Sequence, residues 1–199
     1  MPESLLLLAG GQARRLGRPK ETLPWAGTTL IENSIARLRP RFGEVLVATA
    51  HPERLPASLG VRIVSGERRD GGPLAGLEAG LEAAHNEVVL ALACDLPYVD
   101  GELLEVLVDR LGRHDAVVPF VGARPDPLCA VYRKRSLEVV TRLLDAVAPA
   151  GRPPSLRALL ASLDVRYFGS LEFRLHGFEE RLLWNLNTPG DYQLLITGA

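Results

Sequence analysis

The run SLLLLA at residues 4–9 is almost wholly apolar, the pattern of a strand covered on both faces rather than on one. EVVLALACD at 87–95 repeats that pattern. Ile31, Ile35 and Leu38 recur at helical intervals and predict a helix over 30–38. EVLVATA at 44–50 and VRIVS at 61–65 are rich in β-branched residues and predict strands. Pro73 suits the first turn of a helix that continues through LAGLEAGLEAAH. DGELLEVLVDRLG predicts a helix capped by Asp100 and closed near Gly112. DAVVPF and LCAVYR predict two more strands, and a helix follows from about Ser136 to Val147. Ser155 can cap SLRALLASL. RLLWNLN at 181–187 predicts a short strand, and a last helix is capped by Asn187 or Thr188 with Pro189 in its first turn.

Strands alternating with helices, some strands apolar throughout, predict a three-layer αβα sandwich around a mostly parallel sheet. The expected organisation is one domain over 1–199. The one Pro/Gly-rich interruption, APAGRPP at 148–154, is too short to join independent domains and reads as a surface loop. Ligands of such sheets bind beyond the carboxyl ends of strands. Attention therefore falls after Ala9, after Ala93 and near Trp184.

Composition narrows the function classes. The net charge is −1 over 199 residues, so no whole-protein attraction to nucleic acid or anionic lipid is expected, and any anion site is local. The first apolar run is far shorter than the roughly 20 residues a bilayer needs. Pro2, Glu3 and Ser4 offer no basic segment of the kind that opens a secretion signal. Cys94 and Cys129 lie in apolar surroundings and read as reduced, buried thiols. A cytoplasmic location is expected, with neither a membrane nor a nucleic acid as partner. Among 23 basic residues only Lys20 and Lys134 are lysines, so a lysine near a glycine loop stands out. So does NLN at 185–187, which holds two of the four asparagines.

Four segments could carry chemistry. In LLLLAGGQARRLGRPK, Gly10, Gly11 and Gly17 permit close backbone approach to a ligand. Successive N–H groups there would form an anion nest, with Arg14, Arg15, Arg18 and Lys20 as cationic donors. The spacing is neither G-x-G-x-x-G nor a P-loop, and a solvated basic turn is the alternative. In LACDLP, Asp95 sits at the end of a buried strand, where it could hold Mg²⁺ or simply cap the next turn. In DGGPLAGLEAG, Gly71 and Gly72 could frame a nucleobase or ribose, whereas Gly76 and Gly80 read as close helix–sheet packing. In NLNTPGD, Asn, Thr and Pro are ordinary helix-start residues, but Asn185 is disfavoured in a strand. The four histidines are far apart and lack metal-ligand spacing, and there is no G-x-S-x-G elbow.

Together these segments resemble the molybdenum cofactor guanylyltransferase family. LLAGGQARRLGRPK looks like its L-A-G-G-x-x-x-R-x-G-x-x-K signature, GGPLAG its G-P-L-A-G segment, and CDLPYV its C-D-x-P segment. NLNTPGDY looks like its N-x-N-T-P-x-D close, and RPDPLCAVY its stretch with a proline before a strand. Related cytidylyltransferases more often carry L-A-A-G and D-x-D-T-P. The resemblance implies a Rossmann-like nucleotidyltransferase that transfers GMP from GTP to the terminal phosphate of molybdenum-molybdopterin, with Mg²⁺ as cofactor and pyrophosphate released. Molybdoenzymes or other cofactor-biosynthesis proteins are further implied partners. Carried over by position, Leu8, Ala9, Gly10, Gly11, Ser65, Gly72, Lys20 and Asp95 would bind the nucleotide. Lys20, Asp95 and Arg15 would be catalytic, Asp95 would hold the metal, and Asn185 and Asn187 would face molybdopterin. The family's Asn after the second strand is Ala48 or Thr49 here, and its Asp after the third falls at Ser65 or Gly66. A cytidylyltransferase acting on molybdopterin or an isoprenoid intermediate, and a non-catalytic nucleotide-binding protein, are the alternatives.

Overall fold

The first apolar run forms β1 (Ser4–Leu8), buried at every position because it has a parallel strand on each side and a helical layer on each face. This computed structural model describes residues 2–10, 16–66, 68, 71–122, 124–146 and 154–198. In chain order the elements are β1, β2 (Pro24–Trp25), β3 (Thr28–Thr29), α1 (Leu30–Leu38), β4 (Glu44–Ala48), β5 (Arg62–Val64) and α2 (Gly72–Ala83). Then come β6 (Val88–Ala93), α3 (Gly101–Asp109), β7 (Ala116–Val121), β8 (Arg124–Pro125), β9 (Cys129–Arg133) and α4 (Leu137–Asp145). The described chain closes with α5 (Leu156–Ala161), β10 (Val165–Gly169), α6 (Ser170–Leu175) and α7 (Pro189–Thr197).

Alternation along β1 separates the two cores. Leu5, Leu7 and Ala9 pack with Ile31, Ile35 and Leu38 of α1, Leu103, Leu104 and Leu107 of α3, and Phe173 of α6. Leu6 and Leu8 pack on the other face with Leu74, Leu77 and Leu81 of α2, Leu144 of α4 and Leu159 of α5. The main sheet runs β10-β7-β9-β6-β1-β4-β5, with β8 paired to β7. β1 is parallel to β4 and β6, β4 to β5, and β10 to β7. β9 runs against both of its neighbours. The chain therefore builds outward from β1 through β4 to β5, then returns to open the other side with β6. That reversal leaves a crevice beyond the carboxyl ends of β1 and β6. Register places Leu8 beside Ala93, so Ala9–Gly10 and Cys94–Asp95 leave the sheet side by side.

α2 lies unusually close to β1. A Cβ at Gly80 would stand 2.1 Å from Leu6 Cδ2, and one at Gly76 would stand 3.0 Å from Leu8 Cδ2. The later glycine meets the earlier leucine, so the helix runs against the strand and its N-terminus, with Gly72, lies toward the carboxyl edge.

Several caps fall where the side chains dictate. Asp100 Oδ1 accepts from Leu103 N at 2.9 Å, Ser155 Oγ from Ala158 N at 3.2 Å, and Thr188 Oγ1 from Asp191 N at 3.1 Å. Thr188, not Asn187, is thus the cap of α7. Residues 181–187 do not form the expected strand. Glu180–Leu183 is a 3₁₀ turn, and residues 184–187 take no regular structure and lie outside the sheet. Their link to it is a hydrogen bond from Leu186 N to Asp95 O at 2.9 Å, because they cross the strand ends rather than continue an edge. The edge is instead taken by β10, whose VRYFG buries only Phe168 fully and so carries no doubly covered pattern. The β2–β3 hairpin, two residues per strand, is likewise too short for periodicity to reveal. Cys94 and Cys129 are both buried and unpaired.

Candidate active site

Three chain segments far apart in sequence meet beyond β1 and β6. The first is the 3₁₀ turn Lys20–Thr22, closed by Leu23 N donating to Lys20 O at 3.1 Å. The second is the turn after β6, which carries Asp95. The third is Asn185–Leu186–Asn187, tied to the turn by Leu186 N donating to Asp95 O at 2.9 Å. Leu186 is fully buried in a small cluster with Leu23, Leu30 and Leu195, flanked by Trp25, Tyr98, Trp184 and Tyr192. With Leu186 buried, its flanking asparagines make different contacts, Asn187 Oδ1 with Lys20 and Asn185 Nδ2 with Leu183 O.

The polar geometry is compact. Lys20 Nζ lies 2.7 Å from Asp95 Oδ2 and 2.8 Å from Asn187 Oδ1. The other Asp95 oxygen, Oδ1, is buried and has no hydrogen-bond partner among the described residues. Arg37 of α1 steadies the turn by donating from Nη2 to Pro97 O at 2.6 Å, while its guanidinium lies 5.6 Å from the Trp25 ring centroid. Asp191 Oδ2 accepts from Asn187 N at 2.8 Å and Thr188 N at 2.7 Å. Those backbone hydrogen bonds, Asn187's first, with the Lys20 charge helping, hold its carboxyl below the usual range.

Asp126, on the turn between β8 and β9, is a site residue that sequence reasoning missed. Its Oδ1 accepts from Leu128 N at 3.2 Å, and Asn185 and Asp95 are among the groups that act on its carboxyl. Desolvation raises its carboxyl above the usual range, and the neighbouring Asp95 charge adds to that effect. RPDPLCAVY carries the available signal, a carboxylate held between two prolines just before a strand.

Of the other expected residues, Leu8 and Ala9 are buried at the end of β1, and Gly10 is exposed just beyond it. Ala9 N donates to Ala48 O at 2.9 Å, and Cys94 N to Leu8 O at 3.2 Å. Burial, with the Asp95 and Glu21 charges adding, pushes the nearby Cys94 thiol well up, so this cysteine is inert. Gly72 begins α2 with φ of 60°, and a Cβ added there would meet nothing within 4 Å. Ser65 is not brought to Lys20 and Asp95. Its Oγ donates to Thr49 O at 2.8 Å at the β5 edge, with β4 between it and β1, where it lines a separate cleft of about 550 Å³ with Gly66, Arg68 and Glu78. Gly11 and Arg15, and the 148–154 loop except Pro154, lie outside the described residues.

A switch-point crevice rimmed by a glycine turn, a lysine and a strand-end carboxylate is the arrangement of a nucleotidyltransferase, and comparison with known proteins agrees. Residues 5–167 match the MobA-like NTP transferase domain, and the chain belongs to that family. It is 29% identical over 201 residues to a probable molybdenum cofactor guanylyltransferase of Carboxydothermus hydrogenoformans, covering 97% of this chain and 94% of that protein. Among solved structures, molybdopterin-guanine dinucleotide biosynthesis protein A from Archaeoglobus fulgidus superposes with a TM-score of 0.81 at 25% identity, covering 98% of this chain and 97% of that one. The 2-C-methyl-D-erythritol 4-phosphate cytidylyltransferase of Thermus thermophilus shares the fold, with a TM-score of 0.71 at 22% identity, covering 99% of this chain and 98% of that one.

Proposed function

We propose that this nucleotidyltransferase is a guanylyltransferase that moves GMP from GTP to the terminal phosphate of molybdenum-molybdopterin. The observation that carries the reading is that Lys20 lies within hydrogen-bond distance of both Asp95 and Asn187. It joins the strand-end signature of a nucleotide site to the asparagine segment. The relatives named guanylyltransferase support guanine over cytosine.

In the reaction, an oxygen of the acceptor phosphate attacks the α-phosphorus of GTP. A new P–O bond forms, the bond from the α-phosphorus to the bridging oxygen breaks, and pyrophosphate leaves with the electron pair. The acceptor is already a nucleophile, so positioning and charge stabilisation are the enzyme's main tasks. Lys20 moves from the carboxylate to the triphosphate and offsets charge on the leaving group, and Arg15 joins it from the glycine loop. The glycine loop, with Gly10 and Gly11, and the α2 N-terminus at Gly72 would offer amides to phosphate oxygens. Leu8 and Ala9 form the wall beside the nucleotide. Asn185 and Asn187 face the acceptor.

Mg²⁺ fits the residues present. A buried carboxylate oxygen without a partner is a suitable hard donor. Among the described residues no cluster of three or more His, Cys, Asp or Glu is poised for a metal. Mg²⁺ with nucleotides is usually held by one or two carboxylates together with phosphates. Asp95, through its unpartnered Oδ1, would hold the ion. When bound, Mg²⁺ would neutralise triphosphate charge and polarise the α-phosphate.

Thermal shift separates the nucleobases. With Mg²⁺ present, GTP should raise the melting temperature more than CTP; a larger CTP shift would favour a cytidylyltransferase. No helix among the described residues is long and apolar enough to cross a membrane.

A further inference from the structure

Each of the three segments that meet at the site also supplies an aromatic ring a few residues from its polar side chain. Trp25 lies five residues after Lys20, Tyr98 three after Asp95, and Trp184 three before Asn187. All three rings pack around the cluster that buries Leu186. Tyr98 joins them. Its ring centroid stands 6.4 Å from that of Trp25, edge to face at 89°, and 5.6 Å from that of Trp184 at 42°. Rings at such separations attract beyond the area they bury. Arg181 adds a polar tie to the same ring. Its Nη2 donates to the Tyr98 hydroxyl oxygen at 2.9 Å, and its guanidinium carbon lies 4.4 Å from the ring centroid, well inside the reach of a cation–π contact.

The 184–187 segment belongs to no sheet, so no ladder of hydrogen bonds fixes it. On its carboxyl side Asp191 Oδ2 accepts from the N–H groups of Asn187 and Thr188, and in its middle Leu186 N reaches Asp95 O. On its amino side Arg181 and Trp184 both close on Tyr98. We propose that Tyr98 is a positioning residue: gripped by Arg181, it holds this segment against the Asp95 turn, so that Asn187 stays in reach of Lys20 and the acceptor meets a preset site. The inference rests on the reading of Asn185 and Asn187 as the acceptor side and adds the residues that place them. An acceptor that first had to order the segment would bind more weakly by the cost of that ordering.

The test uses Y98F, R181A and the pair Y98F/R181A. Y98F keeps the ring and removes only the hydroxyl that accepts from Arg181. KM for molybdenum-molybdopterin, followed by pyrophosphate release, should rise about threefold, within the range for a single hydrogen bond. R181A loses the cation–π contact as well, and acceptor KM should rise about tenfold. KM for GTP should stay near wild type in both. Partial unfolding would instead lower kcat and leave acceptor KM unchanged, because the molecules still folded bind normally. The hydroxyl acts through Arg181, so the pair should match R181A rather than multiply the two effects. An unchanged acceptor KM in both single variants, an equal rise in GTP KM, or effects that multiply in the pair overturns the proposal.

A readout independent of turnover keeps this apart from the functional reading. The chain has four asparagines, so their side-chain amide NMR signals can be assigned individually. Asn86, which donates to Ser4 Oγ at 3.1 Å at the amino end of β1, serves as the control. Y98F should shift or broaden the Asn187 pair and leave the Asn86 pair in place; an unmoved Asn187 pair means that Tyr98 does not place the segment. If wild-type protein fails to turn over GTP with the acceptor, the guanylyltransferase reading falls while the amide signals still decide the role of Tyr98.

Discussion

Lys20 Nζ stands 2.7 Å from Asp95 Oδ2 across 75 residues of sequence. Both side chains are 19% exposed, shielded enough for the pair to order the site yet open to a competing anion from solvent. An exposed pair contributes little to stability. A triphosphate, with more negative charge than one carboxylate, can draw the ammonium away and leave Asp95 free for a cation.

Replacing either partner should therefore act on rate more than on fold. K20A and D95A are each expected to lower pyrophosphate release by roughly 10²–10³, the range for loss of a preorganised electrostatic group. Far-UV circular dichroism should remain that of wild type. Near-native rates in both variants would remove these residues from the mechanism.

Gly80 tests the fold that aims the site. An added methyl would overlap Leu6, whose Cδ2 is 2.1 Å away and which is itself fully buried. G80A should cost about 1–3 kcal/mol, as overpacking does. For a chain of this size that is a fall of roughly 2–12 °C in Tm, at about 2–4 °C per kcal/mol. Differential scanning calorimetry against G177A, at a glycine where a Cβ would meet nothing within 4 Å but φ is 75°, separates crowding from backbone strain.

Asp191 sets a pH dependence. Its carboxyl is depressed below the ordinary 3.8, first by the Asn187 backbone hydrogen bond. A depressed folded-state pKa stabilises above the unfolded value and loses that contribution as pH falls through the folded one. The Tm gap between wild type and D191N should be constant at neutral pH and close below about pH 4. A gap that stays open under acid would show that the carboxylate's ionisation does not matter.

Legibility in the sequence followed burial. β1 and β6 carry unbroken apolar runs because both faces are covered, and the crevice between them follows from the alternation of strands and helices. Asp95 could be placed at a strand end for the same reason. β10 is hidden because an edge strand covered fully at one residue leaves no period to read. The Asn185–Asn187 segment resembles a strand because alternation around Leu186 is the same whether a segment joins a sheet or crosses its end. Asp126 is hidden because its neighbours Asp95 and Asn185 meet it only in the folded chain, and local spacing carries no trace of that.

Pyrophosphate release measured with each of GTP, CTP, ATP and UTP, with and without molybdenum-molybdopterin and in Mg²⁺, tests the central claim most directly. The predicted result is release with GTP that requires the acceptor and yields the guanine dinucleotide. Release with CTP in preference to GTP, or none with any nucleotide when the acceptor is present, would contradict it.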